Sequence, residues 1–234
     1  MSEARKLAAI MATDVVGFSR LAGADEDRTL ARMRALRSDL IDPTIAVHNG
    51  RVVKRTGDGT LVEFRSVVDA VRCAIEVQNS MLERNGGVPS ERRIELRIGI
   101  HLGDVVEETD GDLMGDGVNI ASRLEGVAQP GAICLSEDAY RQVKARLDLS
   151  VSDLGNTQLK NIAEPIRVYL LRVGGVYSAT KRSAGLERQV THELTQSIAY
   201  CRAKDGVQLA WAKVGSGPPL MKAANWMNHW EYDW

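Results

Sequence analysis

The chain has 234 residues, enough for one or two domains with a buried core, and its 30 Lys plus Arg against 31 Asp plus Glu leave a net charge of −1. That balance carries no electrostatic footprint for nucleic acid or an anionic membrane surface, and no apolar run approaches bilayer length. Three widely spaced cysteines and four scattered histidines make neither a disulfide framework nor a zinc site, and Glu3 and Asp14 flank too short an apolar stretch for a secretory signal. A soluble cytoplasmic protein, with no nucleic-acid or membrane partner, is the expectation.

Residues 7–18 form a mostly apolar, partly β-branched run that reads as a buried strand ending at Asp14. Leu30, Met33, Leu36, Leu40 and Ile41 fall at helical spacing over 27–41, and Pro43 either kinks that helix or opens a second one. RVVKRTG and TLVEF follow as two strands joined by Gly57-Asp58-Gly59. Ser66 with Asp69 makes a capping box for a helix that buries Val67, Val71, Ala74, Ile75, Val77 and Met81 and ends by Asn85-Gly86-Gly87. IELRIGIH (94–101) alternates as a strand, and GDGVNIASRLEG (115–126) reads as a glycine-opened helix. AICLS and IRVYLLR supply two more strands, with the helix DAYRQVKAR after the first. The order predicts an α+β fold: a ferredoxin-like βαββαβ core with an α/β extension, one sheet with helices on one face.

The character changes after Arg172. A first domain over 1–172, a polar linker over 173–189 and a separate segment over 190–234, which holds all four tryptophans, are expected. Residues 197–234 resemble the opening strands of an α/β-hydrolase domain, truncated before that fold could close. No G-x-S-x-G nucleophile elbow occurs in the chain, so no hydrolase activity is expected. The competing reading is a Trp-rich tail that packs on the first domain.

Two aspartates draw notice. Asp14 ends a buried strand and Asp58 sits at a hairpin tip; if the hairpin lies beside that strand, the two carboxylates converge. Two carboxylates with few other ligands suit Mg²⁺, which keeps waters and takes further oxygens from substrate phosphates. Gly17 lets backbone approach a polyphosphate, with the next amides as donors. The competing reading gives Asp14 a capping role and Asp58 a turn role. A third stretch, DLMGDGVNIASR, sets Asp112 before a helix on which Asn119 and Arg123, four apart, share one face. An arginine beside an asparagine there suits binding of a charged oxygen.

TDVVGFS, VVKRTGDGTLVEF and DLMGDGVNIASRLEG occur in order, and together they resemble the catalytic domain of class III nucleotidyl cyclases, the adenylate and guanylate cyclases. The likeness covers about residues 5–172. It implies that Asp14 and Asp58, with the Val15 carbonyl, hold two Mg²⁺ or Mn²⁺ ions per site. It further implies that Gly17 and Phe18 line the phosphates, that Arg123 stabilises phosphoryl charge, that Asn119 orients the ribose, and that Lys160 reaches the terminal phosphates. Lys54 and Asp112 fall where the family reads the purine, and a lysine donor with an aspartate acceptor fits adenine. The resemblance therefore implies an adenylate cyclase making cyclic AMP from ATP, as a homodimer with active sites shared between subunits. A guanylate cyclase and a catalytically silent nucleotide-sensing domain are the alternatives. A diguanylate-cyclase relative is disfavoured because its G-G-D/E-E-F signature is absent.

Overall fold

A computed structural model describes residues 4–173, 196–202 and 208–214. The chain divides into two units, Met1–Ser178 and Ala179–Trp234. In the first, the elements run β1 (Ala4–Val15), α1 (Phe18–Ala24), α2 (Glu26–Leu36), α3 (Asp42–Val47), β2 (Arg51–Thr56), β3 (Gly59–Phe64) and α4 (Val67–Arg84). They continue with β4 (Leu96–Glu107), β5 (Leu113–Met114), α5 (Asp116–Val127), β6 (Ala132–Ser136), α6 (Glu137–Val143), β7 (Val151–Thr157) and β8 (Ile166–Arg172).

The strands form one sheet in the order β2-β3-β1-β4-β6-β8-β7, with β5 paired to β4. β1 lies antiparallel to both β3 and β4, and β2 is antiparallel to β3. That is the split βαβ arrangement of a ferredoxin-like core. β6 adds to it in parallel with β4, and the antiparallel pair β8 and β7 completes the extension.

Residue alternation along β1 sorts the core onto two faces. Ala9, Met11 and Val15 pack with Ile98, Ile100, Phe64 and the apolar stripes of α2, α4 and α6. Ala8, Ile10 and Ala12 face the other way and pack with Val105 and Ala121. Helices therefore cover both faces, which corrects the expectation of a single covered face. α5 can lie against bare sheet because Gly99 leaves room: a Cβ there would stand 2.3 Å from the Ala121 carbonyl oxygen and the Glu125 nitrogen.

Pro43 has no N–H to continue a helical ladder. The chain meets this with a π-helical turn over Arg37–Ile41, closed by Asp42 N–H donating to the Arg37 carbonyl, after which α3 opens with Pro43 in its first turn. Ser66 caps α4 by accepting from Asp69 N at 3.4 Å. Within α4 the buried Gln78 Nε2 donates to the carbonyls of Leu96 and Ala132 at 3.0 and 3.2 Å, tying the helix to the starts of β4 and β6. No helix among the described residues is long and apolar enough to cross a membrane.

In the second unit, Gln196–Arg202 (β9) pairs antiparallel with Gln208–Val214 (β10). The expected linker over 173–189 lies outside the described residues apart from Val173, and so does most of the hydrolase-like segment.

Candidate active site

Asp14 is the penultimate residue of β1. Thr13 pairs with Thr60 of β3, so the β2–β3 turn lies beside the strand end that carries Asp14. Gly57, at φ 63°, takes the first place of the two-residue turn, where a left-handed residue is required and glycine fits without strain. Gly59 lets the hairpin close on β1: a Cβ there would stand 2.8 Å from Thr56 Oγ1 and 3.1 Å from the Thr13 carbonyl oxygen. The consequence is that the Asp14 and Asp58 carboxyl groups are neighbours. Partial burial, reinforced by the neighbouring Asp14 carboxylate, raises the Asp58 carboxyl above its usual range. A hydrogen bond to its own backbone and the Arg37 cation offset part of that rise.

Three residues that the sequence reading passed over complete this end of the sheet. Arg97 Nη2 donates to Asp14 Oδ2 at 2.5 Å. Arg97 Nε lies 3.1 Å from Glu125 Oε1. Those two atoms are buried and not aligned as a hydrogen bond, so the contact is ionic and each keeps an unused bonding capacity. Burial, with the Asp14 charge nearby, pushes the Glu125 carboxyl up to about 7, against the opposing Arg97 cation. Arg37, on the π-helical turn, donates to the Gly57 carbonyl and so holds the turn that carries Asp58. Nothing in the alternation of IELRIGIH distinguishes Arg97 from an ordinary outward-facing residue; its partner across the β1–β4 ladder, Asp14, is what gives it meaning.

The two carboxyls fit a hard divalent cation. As neighbouring carboxylates they form an acceptor pair that a positive charge satisfies, and Arg97 supplies one such charge to Asp14. Among the described residues no group of three or more His, Cys, Asp or Glu side chains is arranged to hold an ion. An ion at this pair therefore draws most of its shell from water and substrate oxygens, the pattern Mg²⁺ favours.

Lys54 and Asp112 meet elsewhere. Lys54 Nζ donates to Asp112 Oδ2 at 2.6 Å, and Asp112 Oδ1 accepts from Leu113 N at 2.9 Å. A β-bulge makes the first contact possible. Val52 pairs with Val62 but Lys54 pairs with Leu61, so the strand slips by one residue at Val53. Without that slip Lys54 would oppose Thr60 and point to the opposite face of the sheet. The bulge puts it on the face that Leu61 and Val53 share with α5. The mutual hydrogen bond holds the lysine above and the aspartate below their ordinary pKa values.

Asn119 and Arg123 share the exposed face of α5, opposite its buried Gly117, Ala121 and Leu124. Arg123 Nε donates to the Lys160 carbonyl at 3.1 Å, which brings the turn after β7 to the helix. No hydrogen bond or ion pair among the described residues joins Asn119, Arg123 or Lys160 to Asp14 or Asp58. Val15 is buried in the core, Phe18 packs partly against it, and Gly17 sits left-handed at the start of α1, with the space around it open apart from Arg20.

The sequence pattern of the family "Adenylate and Guanylate cyclase catalytic domain" matches residues 2–173. "Putative adenylate cyclase 3" of Rhizobium meliloti (strain 1021) is 45% identical over 165 residues, covering 70% of this chain and 28% of that protein. "Guanylate cyclase soluble subunit beta-2" of Homo sapiens is 29% identical, covering 74% of this chain and 31% of its own length. The chain thus spans about a third or less of both relatives. A crystal structure of "Adenylate/Guanylate Cyclase/Hydrolase from Silicibacter pomeroyi" superposes with a TM-score of 0.68 at 44% identity, covering 73% of this chain and 99% of that one.

Proposed function

The chain belongs to the family of adenylate and guanylate cyclase catalytic domains, and from that premise we propose that it converts ATP to 3′,5′-cyclic AMP and pyrophosphate. The observation that carries the choice of ATP is the Lys54–Asp112 pair at 2.6 Å. Adenine offers an acceptor at N1 beside a donor at its 6-amino group, which an ammonium and a carboxylate can match. Guanine offers a 6-carbonyl acceptor beside an N1–H donor, the reverse order. A site built on such hydrogen bonds discriminates strongly, because the wrong base leaves its polar groups unpaired.

In this reading the ribose 3′-oxygen attacks the α-phosphorus in line, the hydroxyl proton leaves, and the bond to the β-phosphate breaks to release pyrophosphate. Asp14, Asp58 and the Val15 carbonyl would hold the two ions. Mg²⁺ or Mn²⁺ bound there would acidify the 3′-hydroxyl and neutralise the triphosphate. Gly17, with no side chain at the turn after Asp14, and Phe18 beside it line the phosphate path. Arg97 contributes a cation next to Asp14. Arg123 stabilises charge on the phosphoryl oxygens, Asn119 orients the ribose, and Lys160 serves the terminal phosphates.

Asn119 and Arg123 face outward on α5 and make no bond to Asp14 or Asp58. That outward placement supports a site completed by a second copy, one subunit giving the carboxylates and the other giving the purine pair, Asn119 and Arg123. Purified protein supplied with ATP and GTP in turn, with Mg²⁺, with Mn²⁺ and with chelator, tests the reading by product. Cyclic AMP that depends on metal is expected; cyclic GMP as the main product, or no cyclic nucleotide, contradicts it.

A further inference from the structure

We propose that Arg51 is a positioning residue for base recognition, fixing the turn that carries Asp112 so that its carboxylate stays in register with Lys54. The inference rests on reading Lys54 and Asp112 as the purine pair.

Arg51 opens β2 at the edge of the sheet and is nearly half exposed, yet its guanidinium is engaged on every nitrogen. Nε and Nη2 donate to Glu63 Oε2 at 2.9 and 2.7 Å, and Nη2 also reaches Glu107 Oε1 at 3.0 Å. Lys6 closes the circuit, with Nζ 2.6 Å from Glu63 Oε1 and 2.7 Å from Glu107 Oε2. Two cations and two carboxylates thus form a ring across β2, β3, β1 and β4. A network of four charges with a two-pronged arginine is the kind that does contribute to stability, and it also holds the Arg51 guanidinium in place.

The remaining nitrogen gives it another purpose. Nη1 donates to the Gly111 carbonyl at 2.9 Å, one residue before Asp112. Gly111 is left-handed at φ 85°, and a Cβ on it would stand 3.3 Å from Arg51 Nη1, so the turn is shaped for this approach. The turn is closed by Gly111 N donating to Glu108 O at 3.0 Å and Glu108 N to Asp112 O at 2.9 Å. Asp112 N donates to Asp110 Oδ1 at 3.0 Å. Arg51 and Lys54 share β2, so one short strand carries both the base donor and the clamp on its acceptor partner.

The test uses the full chain with Arg51→Gln, Gly111→Ala and, as a control, Lys54→Ala. For each, kcat and KM are measured with ATP and with GTP, and both nucleotides compete against a fluorescent ATP analogue. In Arg51→Gln the KM for ATP should rise about tenfold with kcat changed far less, and the preference for ATP over GTP should narrow. Gly111→Ala, which alters no charge on a turn outside the core, should shift the same quantities in the same direction. It decides the matter if Arg51→Gln fails to fold. An unchanged KM and an unchanged ATP preference in the folded variants overturn the inference, and so does a fall in kcat alone. If Lys54→Ala also leaves the preference unchanged, the purine reading itself has failed. If Lys54→Ala shifts it and the other two do not, only the positioning role is lost.

Discussion

Lys54 Nζ stands 2.6 Å from Asp112 Oδ2, joining an edge strand to a turn 58 residues further along the chain. The hydrogen bond raises the lysine and lowers the aspartate, so both stay charged through neutral pH and the site offers a fixed donor beside a fixed acceptor. Lys54→Glu combined with Asp112→Cys inverts that order. Turnover of ATP should fall by about 10²-fold or more while GTP becomes a better substrate. Steady-state kinetics with both nucleotides check this; a double variant that keeps the wild-type preference contradicts the assignment.

Gly99 decides whether α5 can lie on the sheet. In Gly99→Ala the new Cβ would press on backbone atoms of Ala121 and Glu125 at 2.3 Å, and backbone cannot move aside as a side chain can. A loss of about 3 kcal/mol is expected, with activity falling alongside because α5 carries Asn119 and Arg123. Gly126→Ala, in the same helix with nothing within 4 Å, should be neutral or stabilise by up to about 1 kcal/mol. Urea unfolding of the two variants makes the comparison.

The core of the fold was legible in residue patterns; much of the site's support was not. β1, the β2–β3 hairpin, α4 and β6 announce themselves by apolar periodicity and turn residues. β7 (VSDLGNT) carries no apolar alternation because it is a polar edge strand, mostly exposed, with Gly155 at an irregularity opposite β8. α1 shows no apolar stripe because only Leu21 of its seven residues is buried. The second covered face depends on two glycines of β4, Gly99 and Gly103, whose lack of side chain signals close approach only once the partner is known. At the site, residue types pointed to Asp14, Asp58, Lys54 and Asp112. Arg97, Glu125 and Arg37 gain their meaning from contacts across 83, 28 and 20 residues of sequence, which no local pattern encodes. The slip at Val53 belongs to the same class, since it exists only relative to β3.

His101 gives a pH dependence independent of the carboxylates. Its Nδ1 lies 2.8 Å from Ser136 Oγ, and burial lowers its pKa, with Asp138 opposing weakly. With the folded value below the unfolded one near 6.5, the unfolded chain takes up the proton first as pH falls. The stabilisation is therefore complete above about pH 6.5 and is lost as pH drops toward the folded value, at up to about 1.4 kcal/mol per pH unit. Unfolding free energies of wild type and His101→Gln at pH 7 and pH 5.5 should show the wild type losing more stability than the variant. Parallel losses contradict the sign.

Shortening the chain tests how much of it the first domain needs. Among the described residues, the core clusters and every proposed site residue lie at or before Val173. A chain ending there should melt within a few degrees of the full protein and keep its activity, since it retains the described core and site residues of the first unit. A truncated protein that fails to fold would place residues beyond 173 in the cyclase core.

The most direct measurement mixes two inactive variants. Asp14→Ala removes a carboxylate and Arg123→Ala removes the outward-facing guanidinium; neither belongs to the core, so each should fold. With ATP and Mn²⁺, each alone should make almost no cyclic AMP. After subunit exchange, a mixed dimer holds one doubly damaged site and one intact site, the latter taking its aspartates from the Arg123→Ala chain and its arginine from the Asp14→Ala chain. Random reassortment makes about half the dimers mixed, each with one live site of two, so cyclic AMP formation should return to about a quarter of the wild-type rate. No recovery at any mixing ratio, with exchange verified by differently tagged subunits, would contradict a site completed by a second copy.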